Sequence, residues 1–504
     1  MSTEAKRPEA LFRPALVLMT GRIAGFLVAF VVPMILARIF DQTAFGAYKQ
    51  LFLIFGTLFA IAQMGLAESL YYFLPNHAKE GGRYVFNTVV SIMVLGLGSL
   101  AGLYLFRDEV AELMNNPELA DLMLPLGLFL LFMLMSVALE IIMTARKQFK
   151  AAALTYALTD LVRAAFYVIP VLFIPDLRLL VLGAVVFALA RLTVSFVYLR
   201  REFGVELKPD REAFFEQARY VLPIGFAGMM YVALNKYHMF AVSNAYDAAT
   251  FAIYAVGCLQ LPSGYLMTST GNVMMVNMRA RLLDGDLDGA REVWLDAHRK
   301  LAMAIFPLTG ALLVMAYPFI VLLFTRTYEA SVPIFQVSVL SMGVAVLLTG
   351  CALRVFALTR FFLINNLIRL TLIVSLLHIF MDRFGLIGAV LVTVFADAVT
   401  KAISMEWIRR EFKVGLADLL PWKAFGITAL LAALAALPAW AIVSWLEAPE
   451  FVQLIVAGPV YALTYYLLLR QFGPLDEEEQ EQLAQWLQKP FAWFRRATTL
   501  ATGN

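Results

Sequence analysis

Seven cations fall inside long apolar stretches of this chain: Arg22, Arg163, Arg191, Lys236, Arg354, Arg369 and Lys401. Five acids share those stretches: Glu68, Glu140, Asp160, Asp397 and Glu406. A charge in hydrocarbon costs several kcal/mol unless it faces protein or water, so each must pair with another charge or line a wet path for a charged cargo. Asp160 and Arg163 stand i, i+3, and Asp397 and Lys401 stand i, i+4, spacings that put each pair on one helix face and read as structural pairs. Arg191 and Arg354 lie close enough to the ends of their stretches to snorkel toward water. Arg22 and Lys236 differ, because neither has an acid within a turn of sequence. At 1.5 Å per residue they lie roughly 9 Å and 24 Å along their helices, a lower and an upper step of a cavity that receives an anion. Arg369, between Asn365, Asn366 and a further apolar run, is a third candidate cavity cation. Glu68, Asp160 and Asp397 are the acids that could instead couple transport to an ion.

The elements that must position these charges follow from composition. Of 504 residues 61% are hydrophobic and 15% charged, which fits a polytopic all-α membrane protein and not a soluble domain. Fourteen apolar runs are long enough to span: 16 to 39, 47 to 72, 84 to 106, 120 to 144, 153 to 175, 179 to 199, 220 to 243, 249 to 276, 299 to 323, 332 to 356, 361 to 381, 384 to 407, 424 to 445 and 452 to 469. With the N-terminus inside, the cytoplasmic segments hold 27 Lys and Arg and the outer segments six, the asymmetry that the positive-inside rule demands. Both termini are then cytoplasmic. The chain also repeats itself. Asp41, Phe45 and Tyr48 recur as Asp247, Phe251 and Tyr254 after 206 positions, the same offset that maps Arg163 onto Arg369. Six runs per copy is an even number, so the two copies enter the membrane from the same side, related by an axis along its normal. The expected organisation is a lobe over 1–205 (runs 1 to 6), a lobe over 206–412 (runs 7 to 12), runs 13 and 14 over 413–470, and a cytoplasmic amphipathic tail over 471–504. The aromatic stripe of that tail, Trp486, Phe491 and Phe494, suits an interfacial anchor. Asp41 and Asp247, each at the outer end of the first run of its copy, are expected to cap the following helix.

Several function classes drop out. A net charge of +3 is too small over this length for nucleic acid. The two cysteines lie in separate apolar runs, and the four histidines show no ligand spacing, so no cofactor or metal is implied. DGDLDG at Asp284 to Gly289 resembles the start of a calcium loop, but Leu295 stands where the bidentate glutamate belongs, so a solvated turn is expected. No phosphate-binding loop, nucleotide fingerprint or nucleophile elbow is present, and the outer loops are too short for an extracytoplasmic catalytic module.

Four segments, in order, carry a family resemblance: ARIFDQTAFGAY after run 1, YVLPIGFAGMMYVALNKYHMFAVSNAYDAATFAIYAVG through run 7, FPLTGALLVMAYPFIVLLFTRTYEASVPIF after run 9, and FGLIGAVLVTVFAD in run 12. Through residues 12 to 410 the chain resembles the polysaccharide transporters, the Wzx-type oligosaccharide flippases of the MATE and lipid II flippase superfamily. The resemblance implies two six-helix lobes around a cleft lined by helices 1, 2, 7 and 8. It also implies export of a polyprenyl-pyrophosphate-linked oligosaccharide across the bacterial inner membrane, for a surface glycan such as O-antigen or lipopolysaccharide, beside the glycan assembly enzymes of that membrane. Arg22 and Lys236 occupy helices where such a family carries cleft cations. Two departures stand out: run 8 offers only Gln260 and Asn272 in place of a cation, and fourteen spans exceed the twelve of many members. The expected function is a flippase acting by alternating access, not an enzyme. The alternatives are a cation-coupled antiporter of the same fold, which wants acids free to bind cations, and a membrane-embedded polysaccharide polymerase or ligase, which wants a large outer loop.

Overall fold

The computed structural model describes residues 25–77, 80–476 and 479–480, and among them every regular element is helical. Within the described residues each of the fourteen apolar runs contains helix. Among the described residues nine helices are long and apolar enough to cross a membrane, or ten if one bent pair counts as a single span. The first unit contains α1 (Gly25–Ile39), α2 (Gln42–Asn76), α3 (Gly81–Leu105), α4 (Pro117–Ala145) and α5 (Phe149–Phe173). It continues with α6 (Leu177–Phe203), α7 (Arg211–Ala245) and α8 (Ala248–Gly257). The second contains α9 (Ser263–Leu283), α10 (Leu287–Val314), α11 (Ala316–Phe324), α12 (Arg326–Val355), α13 (Thr359–Phe412), α14 (Trp422–Trp445) and α15 (Glu450–Phe472). The chain passes from one compact unit to the other after Val256.

The helix starts follow from their caps. The Ala44 amide donates to Asp41 Oδ1 at 2.7 Å, and the Thr250 amide donates to Asp247 Oδ1 at 2.8 Å, so the two equivalent aspartates cap α2 and α8 as their spacing predicts. Asp286 caps α10 through the Gly289 amide at 2.8 Å, which makes DGDLDG the expected turn. The capped ends of α2 and α8 meet inside the first unit. A Cβ on Gly46 would sit 1.8 Å from the Ala248 carbonyl oxygen, so only glycine admits that approach.

Among the described residues five runs that read as single helices are broken, run 2 at Met64–Gly65 and run 9 at Met315 among them. Run 8 unwinds between Gly257 and Ser263. Run 4 opens at 136–138 and run 10 at 346–348. A broken span leaves backbone groups without partners in a medium that has none to offer. In runs 4 and 10 a cation from two runs further along the chain fills the gap. Arg191 of α6 donates to Ser136 Oγ at 3.1 Å and to its carbonyl at 3.4 Å, while Lys401 of α13 donates to the Leu347 carbonyl at 2.6 Å. The amide freed at Leu348 donates to His298 Nε2 at 3.2 Å, and His298 Nδ1 donates to the Trp294 carbonyl at 2.8 Å, an arrangement that requires the neutral ring. Arg191 and Lys401 are 210 positions apart, as are the left-handed residues Asn115 and Thr325, and Lys147 and Ala357. The repeat therefore extends to local backbone geometry, with four extra residues relative to the motif offset. Runs 11 and 12 join without a polar loop at Gly385, whose φ of 58° and ψ of −139° suit glycine alone.

Aromatic packing fills the first unit, where Phe52, Phe55, Phe129 and Tyr167 cluster and the Phe55 and Phe129 rings stack at 4.4 Å. In the second unit Trp294 is fully buried against Ile408 and Phe412, with its indole N–H on the Leu419 carbonyl at 2.8 Å. α14 and α15 pack through Ala432, Ala435, Ala439 and Ala457, small residues that let helices approach in lipid, and Tyr465 ties them to α10 through the Met303 carbonyl at 2.9 Å. Beyond α15, Glu479 takes two hydrogen bonds from Arg299, at 2.7 and 2.8 Å. The amphipathic segment beyond it lies outside the described residues.

Candidate cargo path and the charges within the spans

Helix α7 carries Lys236, and the first unit grips it near both ends. At the end joined to Asp247, Gln50 of α2 donates to Ser243 Oγ at 2.9 Å and to the Met114 carbonyl at 2.8 Å, and Asn116 donates to Gln50 Oε1 at 2.8 Å. At the other end Arg83 pairs with Asp210 at 2.8 Å, the Asn87 amide donates to the Asp210 carbonyl at 2.7 Å, and Gln217 donates to Ser69 and Thr88 at 2.8 and 2.7 Å. The Ala213 amide, and then Arg83, hold the Asp210 carboxyl below the usual carboxylate range. Between these clasps, Lys236 is half-buried, nine residues before the end of α7 and so roughly 14 Å below it. Two residues on, His238 and the Tyr254 hydroxyl of α8 lie 2.6 Å apart. Gln260 is exposed in the unwound stretch of run 8. Arg22 lies outside the described residues.

Four of the five acids within the spans are occupied. Asp160 pairs with Arg163 at 2.6 Å as its spacing predicts. Its carboxylate abuts α1, where a Cβ on Gly25 would come within 2.1 Å of Oδ2. Two expectations need correction. Arg191 does not snorkel: it is 10% exposed and makes a two-pronged pair with Glu140, which is 3% exposed, at 2.8 Å on each prong, with a further bond of 2.8 Å to Thr159. A guanidinium can meet a carboxylate on both prongs, and the gap in α4 needs a donor, so the buried position costs less than reaching for water. Nor do Asp397 and Lys401 pair with each other. The Lys401 ammonium goes to the Leu347 carbonyl, and Asp397 lies 3.7 Å from Arg369 Nε. The broken backbone of α12 outcompetes the carboxylate one turn away. Arg354 is exposed over the Phe362 ring at 5.3 Å, in keeping with snorkelling. Glu406, at the last turns of α13, is held by Arg409 and Arg410 at 2.8 and 2.9 Å. Glu68 is exposed in the first turn of the second half of α2.

The described residues thus bring four of the span acids to arginines and provide two backbone plugs. The Gln50, Asn116 and Ser243 network and the Glu140–Arg191 pair escaped sequence reasoning. Their one signal was polarity at scattered positions in apolar runs, with no spacing to link residues as far apart as 50 and 243.

Comparisons with known proteins agree with this architecture. A family model described as polysaccharide biosynthesis protein matches residues 11–281. Among solved structures, the lipid II flippase MurJ in an inward closed conformation superposes with a TM-score of 0.66 at 14% identity, covering 89% of this chain and 99% of that one. An inward-facing multidrug resistance MATE family transporter of the MOP superfamily superposes at 0.59 with 15% identity, covering 77% and 94%. A MOP superfamily transporter from Pyrococcus furiosus superposes at 0.52 with 15% identity, covering 80% and 95%. No curated protein sequence matches. At such identities the superpositions speak for fold, which is the one these MOP superfamily structures share, while the family model spans more than half of the chain: the protein belongs to the polysaccharide biosynthesis protein family.

Proposed function

We propose that the protein is a flippase that carries a polyprenyl-pyrophosphate-linked oligosaccharide from the cytoplasmic to the outer leaflet of a bacterial inner membrane, by alternating access, for surface polysaccharide assembly. The observation that carries this reading is the state of the acids. A cation-coupled antiporter needs a carboxylate able to take up its coupling ion in the membrane, whereas Asp160, Glu140 and Asp397 each lie against a guanidinium. Cations at depth, Lys236 together with Arg22 of the first run, suit an anionic cargo, whereas Arg369 would have to leave Asp397 to meet one. The lobes are those of the sequence reading, 1–205 and 206–412, and both termini are cytoplasmic. A pyrophosphate carries about two negative charges, and a membrane negative inside drives anions outward by about 2.3 kcal/mol per charge per 100 mV, so roughly 4 to 5 kcal/mol is available without ATP. The polymerase or ligase reading has no structural observation in its favour. Depletion of the protein in cells separates the two: a flippase leaves its lipid-linked glycan stranded on the inner leaflet. Accumulation on the outer leaflet defeats the proposal.

A further inference from the structure

At the end of α7 that loop charge places in the cytoplasm, a cavity of about 780 Å³ opens between α7 and the second half of α2. Its volume is that of a small-molecule site. Tyr72 of α2 and Tyr220 of α7 stack face to face within it, with ring centroids 5.1 Å apart and planes within 12°. They nonetheless remain 50% and 40% exposed, and Phe215 beside them is 53% exposed. Arg211 and Arg219 flank Phe215 at i−4 and i+4 on one helix face, roughly 12 Å apart along the axis. Among the described residues neither arginine makes an ion pair, although Glu212 and Glu216 share the wall. Glu216 is engaged elsewhere: the Tyr84 hydroxyl donates to it at 2.5 Å and His77 lies 3.9 Å away. Asp210 is engaged by Arg83.

We propose that this cavity is the cytoplasmic loading site of the transporter, and that it takes the saccharide-phosphate headgroup before the membrane path does. Three features select that class of ligand. Exposed aromatic faces offer the apolar side of a sugar ring a surface to stack on, and the tyrosine hydroxyls and Glu212 can bond sugar hydroxyls. The arginine forks match phosphate oxygens two at a time. The third is position. Arg219 directly precedes Tyr220, where the apolar run begins, so it stands at the height of a phosphate whose lipid remains in the bilayer. A belt of aromatics serving only to anchor a helix in lipid has no use for two glutamates and two arginines on the same wall. The inference rests on the flippase reading for its direction and on the cavity for its chemistry.

The test uses full-length protein in lipid nanodiscs and a short-chain polyprenyl diphosphate bearing one N-acetylhexosamine. Arg219→Gln, and the pair Tyr72→Ala with Tyr220→Ala, should each weaken binding about tenfold, while Tyr72→Phe, which keeps the ring and loses one hydroxyl, should lose clearly less than the double alanine variant. N-acetylhexosamine 1-phosphate should compete with the probe, and anionic phospholipid at the same charge should not. Unchanged binding in Arg219→Gln and in the double alanine variant, or competition by phospholipid as strong as by the sugar phosphate, overturns the proposal. Flipping of the same probe in vesicles reads the function separately. A wild type that binds the probe without moving it defeats the flippase and leaves the loading site standing. A wild type that moves it, with Arg219→Gln at the same KM, defeats the loading site alone.

Discussion

Glu140→Gln is the substitution whose cost the structure specifies best. The carboxylate of Glu140 is 3% exposed and accepts both prongs of Arg191 at 2.8 Å. Each charge-assisted bond contributes about 1.5 to 3 kcal/mol, and breaking a buried pair on one side costs about 3 to 5 kcal/mol, because the remaining charge keeps its burial and loses its counter-ion. Arg191 cannot swing away to water without abandoning Ser136 at the gap in α4, so relaxation is restricted. The cost should therefore fall near the upper half of that range. It is read as a fall in apparent melting temperature of the detergent-solubilised protein, followed by a fluorescent thiol probe at a fixed heating rate. The companion variant, Glu140→Leu with Arg191→Met, removes both charges at similar volume and should recover most of the loss, since an apolar replacement of a buried pair is often neutral. A Glu140→Gln protein as stable as wild type, or a double variant no better than the single one, would refute the argument that the pair is coupled and desolvated.

Three further outcomes follow from the same geometry. Gly46→Ala forces a methyl group into the Ala248 carbonyl and should cost about 1 to 3 kcal/mol, seen as lower melting temperature and yield; an unaltered protein means that α2 and α8 do not approach as closely as described. Asp247→Ala should cost about 1 kcal/mol and Asp247→Asn much less, whereas an asparagine variant that keeps its stability and loses transport would assign the carboxylate a titrating role. Hydrogen bonds hold the Asp210 carboxyl below its unfolded value, so its contribution is fully present above about pH 4 and is lost as pH falls through the lower folded value. Amide exchange at the start of α7 should therefore accelerate in acid, and Asp210→Asn should flatten that dependence; the same acid response in both proteins removes Asp210 as its cause.

The sequence carried the architecture further than the site. The aspartates at 41 and 247 are legible because capping is local, set by a side chain three residues from its amide. The Asp160–Arg163 pair is legible for the same reason. What spacing could not reveal is where helices break, because the gaps at 136–138 and 346–348 lie in runs as apolar as their neighbours. The breaks then redirect the charges: Lys401 leaves Asp397 for a backbone carbonyl, and Arg191 turns inward to Ser136 and Glu140. Long-range polar contacts such as Gln50 with Ser243 are invisible for the same reason, since nothing local marks a partner 193 positions away.

The most direct test of the account is headgroup movement in vesicles containing only this protein and a polyprenyl-pyrophosphate-linked saccharide, under a potassium-valinomycin potential of either sign. The account predicts movement that needs the protein, that is faster from the side made negative, and that slows in Lys236→Ala. Movement indifferent to the sign of the potential would contradict the electrogenic anion path and turn attention to Glu68, Asp160 and Asp397 as coupling acids. No movement of the lipid-linked saccharide at either sign would contradict the flippase itself.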